Sequence, residues 1–290
     1  RPIGVGEIIR RVAARIGVRA LCRLVEPDLH MKRQHGVSRD GGHHVYHSTR
    51  LCAAEGQHVI EFDIENAFGE VDRERILHVV SDIDDVRPLV GALYGNDCLM
   101  TLRGSTTTLI CDRGVVQGCP LASVLFALAL QSAIDEAREK ANPALGTVTD
   151  VWYADDGRAA SHSAAALEHF ITSLRTTLRA RGLTLAPHKS LFIANAAYDD
   201  DHPEVVCLAR HAKRVSMLSC VGLPVCPSGL IEADVLIPRH FDGVVTDALA
   251  VVSSLKALEH PHHAVQALAC AGMWSRLQYY VRGYVDAVSD

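Results

Sequence analysis

Val148-Thr149-Asp150-Val151-Trp152-Tyr153-Ala154-Asp155-Asp156-Gly157-Arg158-Ala159-Ala160-Ser161 is the stretch on which the fold turns. Val148 to Tyr153 and Arg158 to Ser161 are β-prone runs that bracket Ala154-Asp155-Asp156-Gly157, which predicts a β-hairpin whose tip holds adjacent carboxylates. Upstream, Val59-Ile60-Glu61-Phe62-Asp63-Ile64 is a short β-rich run and helical periodicity resumes from Val71 to Val80, so a strand delivers Asp63 to a turn. Between the two, Pro120 suits the first turn of a helix. The apolar run Leu121 to Leu130, leading into Ile134 to Arg138, predicts that this helix is long and largely buried, with Gly118 just before its start. Residues 163 to 181 predict another helix, Ser190 to Ala194 another strand, and from about Asp234 the pattern is helical to the end. Val5 to Leu24 places Ile8, Ile9, Val12, Ile16 and Leu21 at helical spacing among Arg10, Arg11, Arg15, Arg19 and Arg23, the pattern of a basic amphipathic helix. Strands interrupted by long helices, with hairpins between them, predict an α+β fold: a mainly antiparallel sheet backed by helices.

The 290 residues, 48% of them hydrophobic, suffice for one sizeable core divided into subdomains. The longest apolar stretch falls short of the ~20 residues of a membrane span, and no signal peptide precedes the first motif, so a soluble protein with no membrane partner is expected. The chain opens at Arg1 without a methionine and inside an element, which predicts a piece of a longer protein. Nine cysteines, an odd number with no C-x-x-C pair, argue against a disulfide scaffold and a zinc knuckle and point to a reducing, intracellular compartment. His43, His44 and His47 lie close together but no Cys or carboxylate cluster follows at ligand spacing, so they read as loop or surface histidines.

The net charge of −5 is unusual for a partner of nucleic acid, whose phosphates are neutralised by Lys and Arg. The distribution says more than the sum. Residues 1 to 50 hold ten Lys/Arg against four Asp/Glu, giving +6, and residues 51 to 100 hold three against eleven, giving −8. A basic lead segment suits a template path and an acidic middle segment suits cations, although segregated charge by itself describes only a solvated surface.

Any one Asp in a turn is ordinary, because Asp favours turns and caps for local hydrogen-bonding reasons. The arrangement is what carries chemistry: a β-run ending in F-D-I-E-N-A-F, a buried helix opened by Q-G-C-P-L, and a hairpin bearing Y-A-D-D, in that order. Phosphoryl transfer asks little covalent help of a protein. It needs cations held by converging carboxylates, and magnesium, which draws its remaining oxygens from phosphates and water, is satisfied by two or three of them.

These motifs resemble those of the reverse transcriptase (RNA-directed DNA polymerase) family over most of the chain. Phe62-Asp63-Ile64-Glu65-Asn66-Ala67-Phe68 looks like motif A, Gly114 to Leu121 like motif B and Tyr153-Ala154-Asp155-Asp156 like motif C. Gly182 to Ser190 resembles motif D and Val221-Gly222-Leu223-Pro224 motif E, with less specificity. Arg1-Pro2-Ile3, Gln34-x-Gly36 and F-D-I-E-N-A-F lean towards non-LTR retrotransposon enzymes. Ala186 and Gly69 stand where members often carry Asn, a departure that touches no metal position.

The resemblance implies a right-hand polymerase: partial fingers over 1–58, a palm over 59–233 with a fingers-contributed portion near 75–113, and a helical thumb-like region over 234–290 that includes Trp274 to Tyr280. It implies that Asp63 and Asp155 ligate two Mg2+ ions, with Asp156 the less essential neighbour, the Ile64 carbonyl an extra ligand and Mn2+ a substitute. Backbone amides at Asn66 and Ala67 would hold the triphosphate, Arg1 would clamp it, and Lys189 would neutralise or protonate the leaving pyrophosphate. Gln117 and Gly118 would lie beside the nascent base pair. Phe68 would pack beneath the sugar of the incoming nucleotide, where a bulky ring leaves no room for a 2′-hydroxyl and so argues for a DNA product. The implied partners are an RNA template, a DNA or RNA primer and dNTPs, and nuclear action follows from the retrotransposon likeness. The alternatives are a catalytically inactive, RNA-binding relative and an RNA-making polymerase, which Phe68 opposes.

Overall fold

The computed structural model describes residues 8–101, 106, 108–228, 230 and 233–255. Its first half runs α1 (Ile8–Met31), α2 (Gly41–Ala54), β1 (His58–Phe62), α3 (Ala67–Glu70), α4 (Arg73–Val79), α5 (Arg87–Tyr94), β2 (Cys98–Thr101), β3 (Thr108–Cys111) and α6 (Ala122–Glu139). It continues with β4 (Thr149–Tyr153), β5 (Asp156–Ser161), α7 (Ala164–Arg179), β6 (Leu191–Ile193), α8 (Pro203–Ala209), β7 (Lys213–Arg214), β8 (Leu218–Cys220), β9 (Leu223–Val225) and α9 (Ala233–Leu255).

Five strands form one sheet in the order β4-β5-β1-β6-β7. The strand that delivers Asp63 is central, paired antiparallel to β5 with Phe62 opposite Gly157, and antiparallel to β6 with Ile60 opposite Phe192. The sheet is mixed, not wholly antiparallel, because β7 joins β6 in parallel. The helix α8 between them explains it: a crossover returns the chain in its original direction, whereas a tight turn would have reversed it.

Both faces of the sheet are covered, and the period-2 alternation assigns each residue to its side. Ile60, Phe62, Trp152, Ala159 and Phe192 enter the core formed with α4, α5, α6 and α7. Val59, Val151, Ala160 and Ile193 point the other way, towards Val45, Tyr46 and Ala53 of α2 and the β8–β9 hairpin. Two-sided burial accounts for the nearly unbroken apolar run before Asp63. The helix α6 is long and buried, as its apolar run predicts, and α7 starts where the Ser163 hydroxyl accepts from the Ala166 N–H.

Gly157 is small because two rings stack over it. Phe62 and Trp152, its cross-strand neighbours, lie with centroids 5.9 Å apart, and a Cβ on Gly157 would overlap the Trp152 ring. Gly157→Ala is expected to destabilise the fold by about 1–3 kcal/mol through overpacking, measured by chemical denaturation.

The N-terminal helix forms, but of its five spaced apolar residues only Leu21 is buried. It buries Ala14, Gly17, Leu21 and Leu29, while Ile8, Ile9, Val12 and Ile16 are exposed, Ile9 by 82%. Close approach selects size here over hydrophobicity, since a Cβ on Gly17 would overlap a Leu89 methyl of α5. His43, His44 and His47 sit on α2, not in a loop, and the His44 ring stacks on His35 with centroids 5.2 Å apart.

Candidate active site

Asp63 follows the last residue of β1, and its backbone is fixed on both sides. Its N–H donates to the Ser190 hydroxyl oxygen at 3.4 Å and its carbonyl accepts from the Ala186 N–H at 2.8 Å. Ile64, buried, bridges Leu185, and the Glu65 N–H donates to the Thr184 carbonyl at 2.9 Å. The segment from Thr184 to Ser190 is thereby docked along the exit from the central strand. Because Phe62 pairs with Gly157, Asp63 and Asp156 emerge at the same end of the sheet. Tyr153 pairs with Asp156 across a two-residue turn, so Asp155 stands in the turn while Asp156 is already the first residue of β5. The hairpin pattern predicts both carboxylates at the tip, and the structure leaves only Asp155 there.

The turn residue Ala154 has φ 53°, a left-handed conformation that costs a residue with a Cβ roughly 1–2 kcal/mol. It persists because its surroundings over-determine it, chiefly through the side chain of Gln34.

Charge is concentrated at this sheet end. Arg158, with only 3% of its side chain exposed, pairs with Glu61 at 2.7 Å directly across the β1–β5 ladder. Burial works against the Arg158 charge, but Cys220, Glu61 and Asp156 outweigh it and hold the guanidinium pKa up. The Asp156 carboxyl, although the residue keeps an open edge, is pushed above the ordinary value by the protein packed around it and then by Asp155, Glu61 and Asp63, with Arg158 pulling the other way. A carboxyl raised in this way binds its proton more tightly in the folded chain. Its contribution to stability is complete below the unfolded value of 3.8 and is lost as pH rises through the folded one. Asp156→Asn is therefore expected to raise the melting temperature at neutral pH, only slightly because the residue is exposed to screening solvent, the gain vanishing in thermal unfolding below the ordinary aspartate range. Lys189, whose own side chain is exposed, lies 3.5 Å from the Asp63 Oδ2 in a pair worth under about 1 kcal/mol.

Phe68 stacks on Phe126 of α6 with centroids 4.6 Å apart, half-buried against the core. Its carbonyl accepts from the Val115 N–H at 2.7 Å, and the Gly114 N–H donates to the Val71 carbonyl at 2.9 Å. These bonds seat the segment leading to Gln117 and Gly118 against the turn after Asp63. Gly114, with φ 65°, permits the approach, since a Cβ there would overlap the Phe68 and Gly69 carbonyls. Arg73, buried, donates to the Gly114 carbonyl at 3.0 Å and to the Asn96 carbonyl at 3.0 Å, tying the same segment to the end of α5. Asn66 is left-handed at the start of α3 and donates to Glu70, and Ala67 is buried behind it. Arg1 and Trp274 to Tyr280 lie outside the described residues.

A cleft of about 470 Å³ opens beside the hairpin, with Asp40, Gly41, His43, Tyr153, Asp156 and Val221 among its walls. Val221-Gly222, both with positive φ, form the turn that brings the β8–β9 hairpin to it. The roles of Gln34, Gly114 and Glu61 were not read from sequence. Gln34 and Gly114 lay inside quoted motifs without an assigned contact, and Glu61 looked like one polar position in a strand.

The donor set fits hard divalent cations. Magnesium prefers oxygen, keeps water and uses few protein groups. Asp63 Oδ2 is a buried oxygen that accepts no hydrogen bond, with the Lys189 ammonium as its neighbouring charge. Among the described residues no three His, Cys, Asp or Glu side chains form a ready cage, and none is required where phosphate oxygens complete the shell. No described helix is long and apolar enough to cross a membrane.

The architecture has solved counterparts. A telomerase from Candida albicans in complex with a TWJ fragment of telomeric RNA matches with a TM-score of 0.54 at 11% identity, over 77% of this chain and 37% of that one. The apo telomerase of Candida tropicalis matches at 0.52 and 11% identity, over 75% of this chain and 38% of its own. A form of it truncated from the C-terminal domain matches at 0.50 and 12%, over 75% and 43%. Identities this low show a shared α+β fold and no more, and this chain spans less than half the length of these structures. No curated protein matches it in sequence. Residues 1–221, which include both carboxylate motifs and the segment docked beside Asp63, match the family described as "Reverse transcriptase (RNA-dependent DNA polymerase)", and the chain therefore belongs to the reverse transcriptase family.

Proposed function

We propose that this chain is a polymerase core that extends a DNA or RNA primer on an RNA template with dNTPs. The observation that carries the reading is the delivery of Asp63, Asp155 and Asp156 to one end of one sheet by three paired strand segments, with Phe68 stacked rigidly nearby. Nucleic acids are the partners of the family and divalent metals its usual cofactors.

Asp63 and Asp155 would hold two Mg2+ ions, or Mn2+ in their place, with the Ile64 carbonyl as a further ligand and Asp156 as the auxiliary carboxylate. Bound there, the ions would activate the primer 3′-hydroxyl and offset charge on the triphosphate. Asn66 and Ala67 would hold the phosphates through backbone amides, and Arg1 would clamp them from the other side. Lys189, beside Asp63, is placed to neutralise or protonate the departing pyrophosphate. Gln117 and Gly118 flank the nascent base pair, and Phe68 bars the 2′-hydroxyl.

On this reading residues 1–58 are partial fingers, 59–233 the palm with a fingers portion near 75–113, and 234–290 a thumb of which α9 is the described part. A non-LTR retrotransposon origin, with action inside the cell and in the nucleus, belongs to the same proposal and rests on Arg1-Pro2-Ile3, Gln34-x-Gly36 and F-D-I-E-N-A-F.

The test is extension of a primed RNA template with Mg2+, supplied with dNTPs or rNTPs. Growth with dNTPs alone is the expected result. Template binding without extension under any metal would move the chain to the RNA-binding alternative.

A further inference from the structure

We propose that Gln34 is a positioning residue whose buried amide clamps the Ala154 peptide and thereby sets where the Asp155 and Asp156 carboxylates stand. The proposal deepens the polymerase reading and, for its catalytic half, rests on it.

Gln34 is fully buried. Its Nε2 donates to the Ala154 carbonyl at 3.2 Å, and its Oε1 accepts from the Ala154 N–H at 3.0 Å, so one side chain satisfies both backbone groups of a single residue. The same Oε1 accepts from the Gly36 N–H at 3.1 Å. The loop is tied to β4 on either side of this contact: the Trp152 N–H donates to the Arg33 carbonyl at 2.9 Å, and the His35 N–H donates to the Trp152 carbonyl at 2.8 Å. Its other end is anchored where the Gln34 N–H donates to the Leu29 carbonyl of α1 at 2.8 Å. Gly36 completes the fit, because a Cβ there would overlap the Ala154 nitrogen.

The chemistry of the contact selects glutamine. A simultaneous donor and acceptor requires a neutral amide. Asn is one methylene short, Lys only donates, and ionised Glu only accepts while adding charge beside two carboxylates. Ala154 has no side chain of its own to favour its left-handed backbone, so the conformation that aims Asp155 is set from outside the hairpin. The Gln34-x-Gly36 pattern thus has a physical basis: one residue grips the turn and the other lets the backbones meet.

The test compares Gln34→Met, which keeps volume and removes all three side-chain bonds, with Gln34→Glu, in the full chain. Hydrogen exchange at the Ala154 amide is expected to quicken at least about tenfold in Gln34→Met while the β1–β5 amides stay protected. In primer extension, kcat is expected to fall on the order of 10²-fold with the dNTP KM nearly unchanged, the signature of misplaced groups. Gln34→Glu adds a diagnostic readout. Its protonated acid can both donate to and accept from Ala154, so its kcat relative to the parent should recover as pH falls, whereas that of Gln34→Met should not. Unchanged Ala154 exchange would overturn the clamp. Rate losses that merely track melting temperature, without the pH recovery of Gln34→Glu, would reduce Gln34 to a structural residue. A parent that makes no DNA would remove the polymerase reading and the catalytic half of this proposal with it, while exchange at Ala154 would still decide the clamp.

Discussion

Asp155→Asn is expected to lower primer extension by on the order of 10³-fold or more, and Asp63→Asn by a similar factor, with template binding and melting temperature preserved. Asn keeps the shape of Asp but replaces one acceptor oxygen with an NH2 donor and lacks the charge that would hold a divalent cation, so several kcal/mol of transition-state stabilisation disappear with little change in packing. The backbone of Asp63 is fixed through Ser190 and Ala186, and that of the hairpin through its ladder, and neither substitution touches those bonds. Asp156→Asn should cost much less, because Asp156 is the auxiliary carboxylate of this reading and stands on β5, not in the turn that carries Asp155. Single-turnover extension across a Mg2+ titration measures all three. Equal rates for Asp155→Asn and the parent would remove the assigned metal role.

Phe68→Val is expected to admit ribonucleotides, narrowing the preference for dNTPs over rNTPs by about 10- to 200-fold, the range for removing bulk from a packed pocket. The ring has little freedom to retreat from a 2′-hydroxyl, because it is stacked on Phe126 and its own carbonyl is bonded to Val115. The measurement is kcat/KM for matched dNTP and rNTP pairs. If discrimination is unchanged, Phe68 is a core residue and the exclusion of ribose lies elsewhere.

What could be read in advance followed local rules. The strand before Asp63, the Y-A-D-D hairpin, the buried helix after Pro120 and the helix after Ser163 all announce themselves through periodicity, turn residues or caps, and each appears within a few residues of its expected limits. What could not be read depended on partners distant in sequence. The buried face of α1 packs closely against Leu89, about seventy positions away, where Gly17 is small, while Ile9 is left in water. The parallel pairing of β7 depends on a two-residue strand with no pattern of its own. At the site, motif spacing identified the carboxylates but not their supports: Gln34 reaches Ala154 across 120 positions, and Arg73 reaches Gly114 across 41. A hydrogen bond to a main-chain atom leaves almost no trace in the identity of the residue that receives it.

The short parallel bridge of Gln34 to Trp152 has a consequence for colloidal behaviour as well. A sheet of five strands has two margins, and a margin with unpaired peptide groups is a template on which another chain can add. On the side of β4, Arg33 and His35 occupy the outward N–H and carbonyl of Trp152, and on the opposite side the terminal strand is only two residues long. Among the described residues, the five-stranded sheet thus offers little length for strand-to-strand association, and the loop that steadies the hairpin also blunts one of its margins.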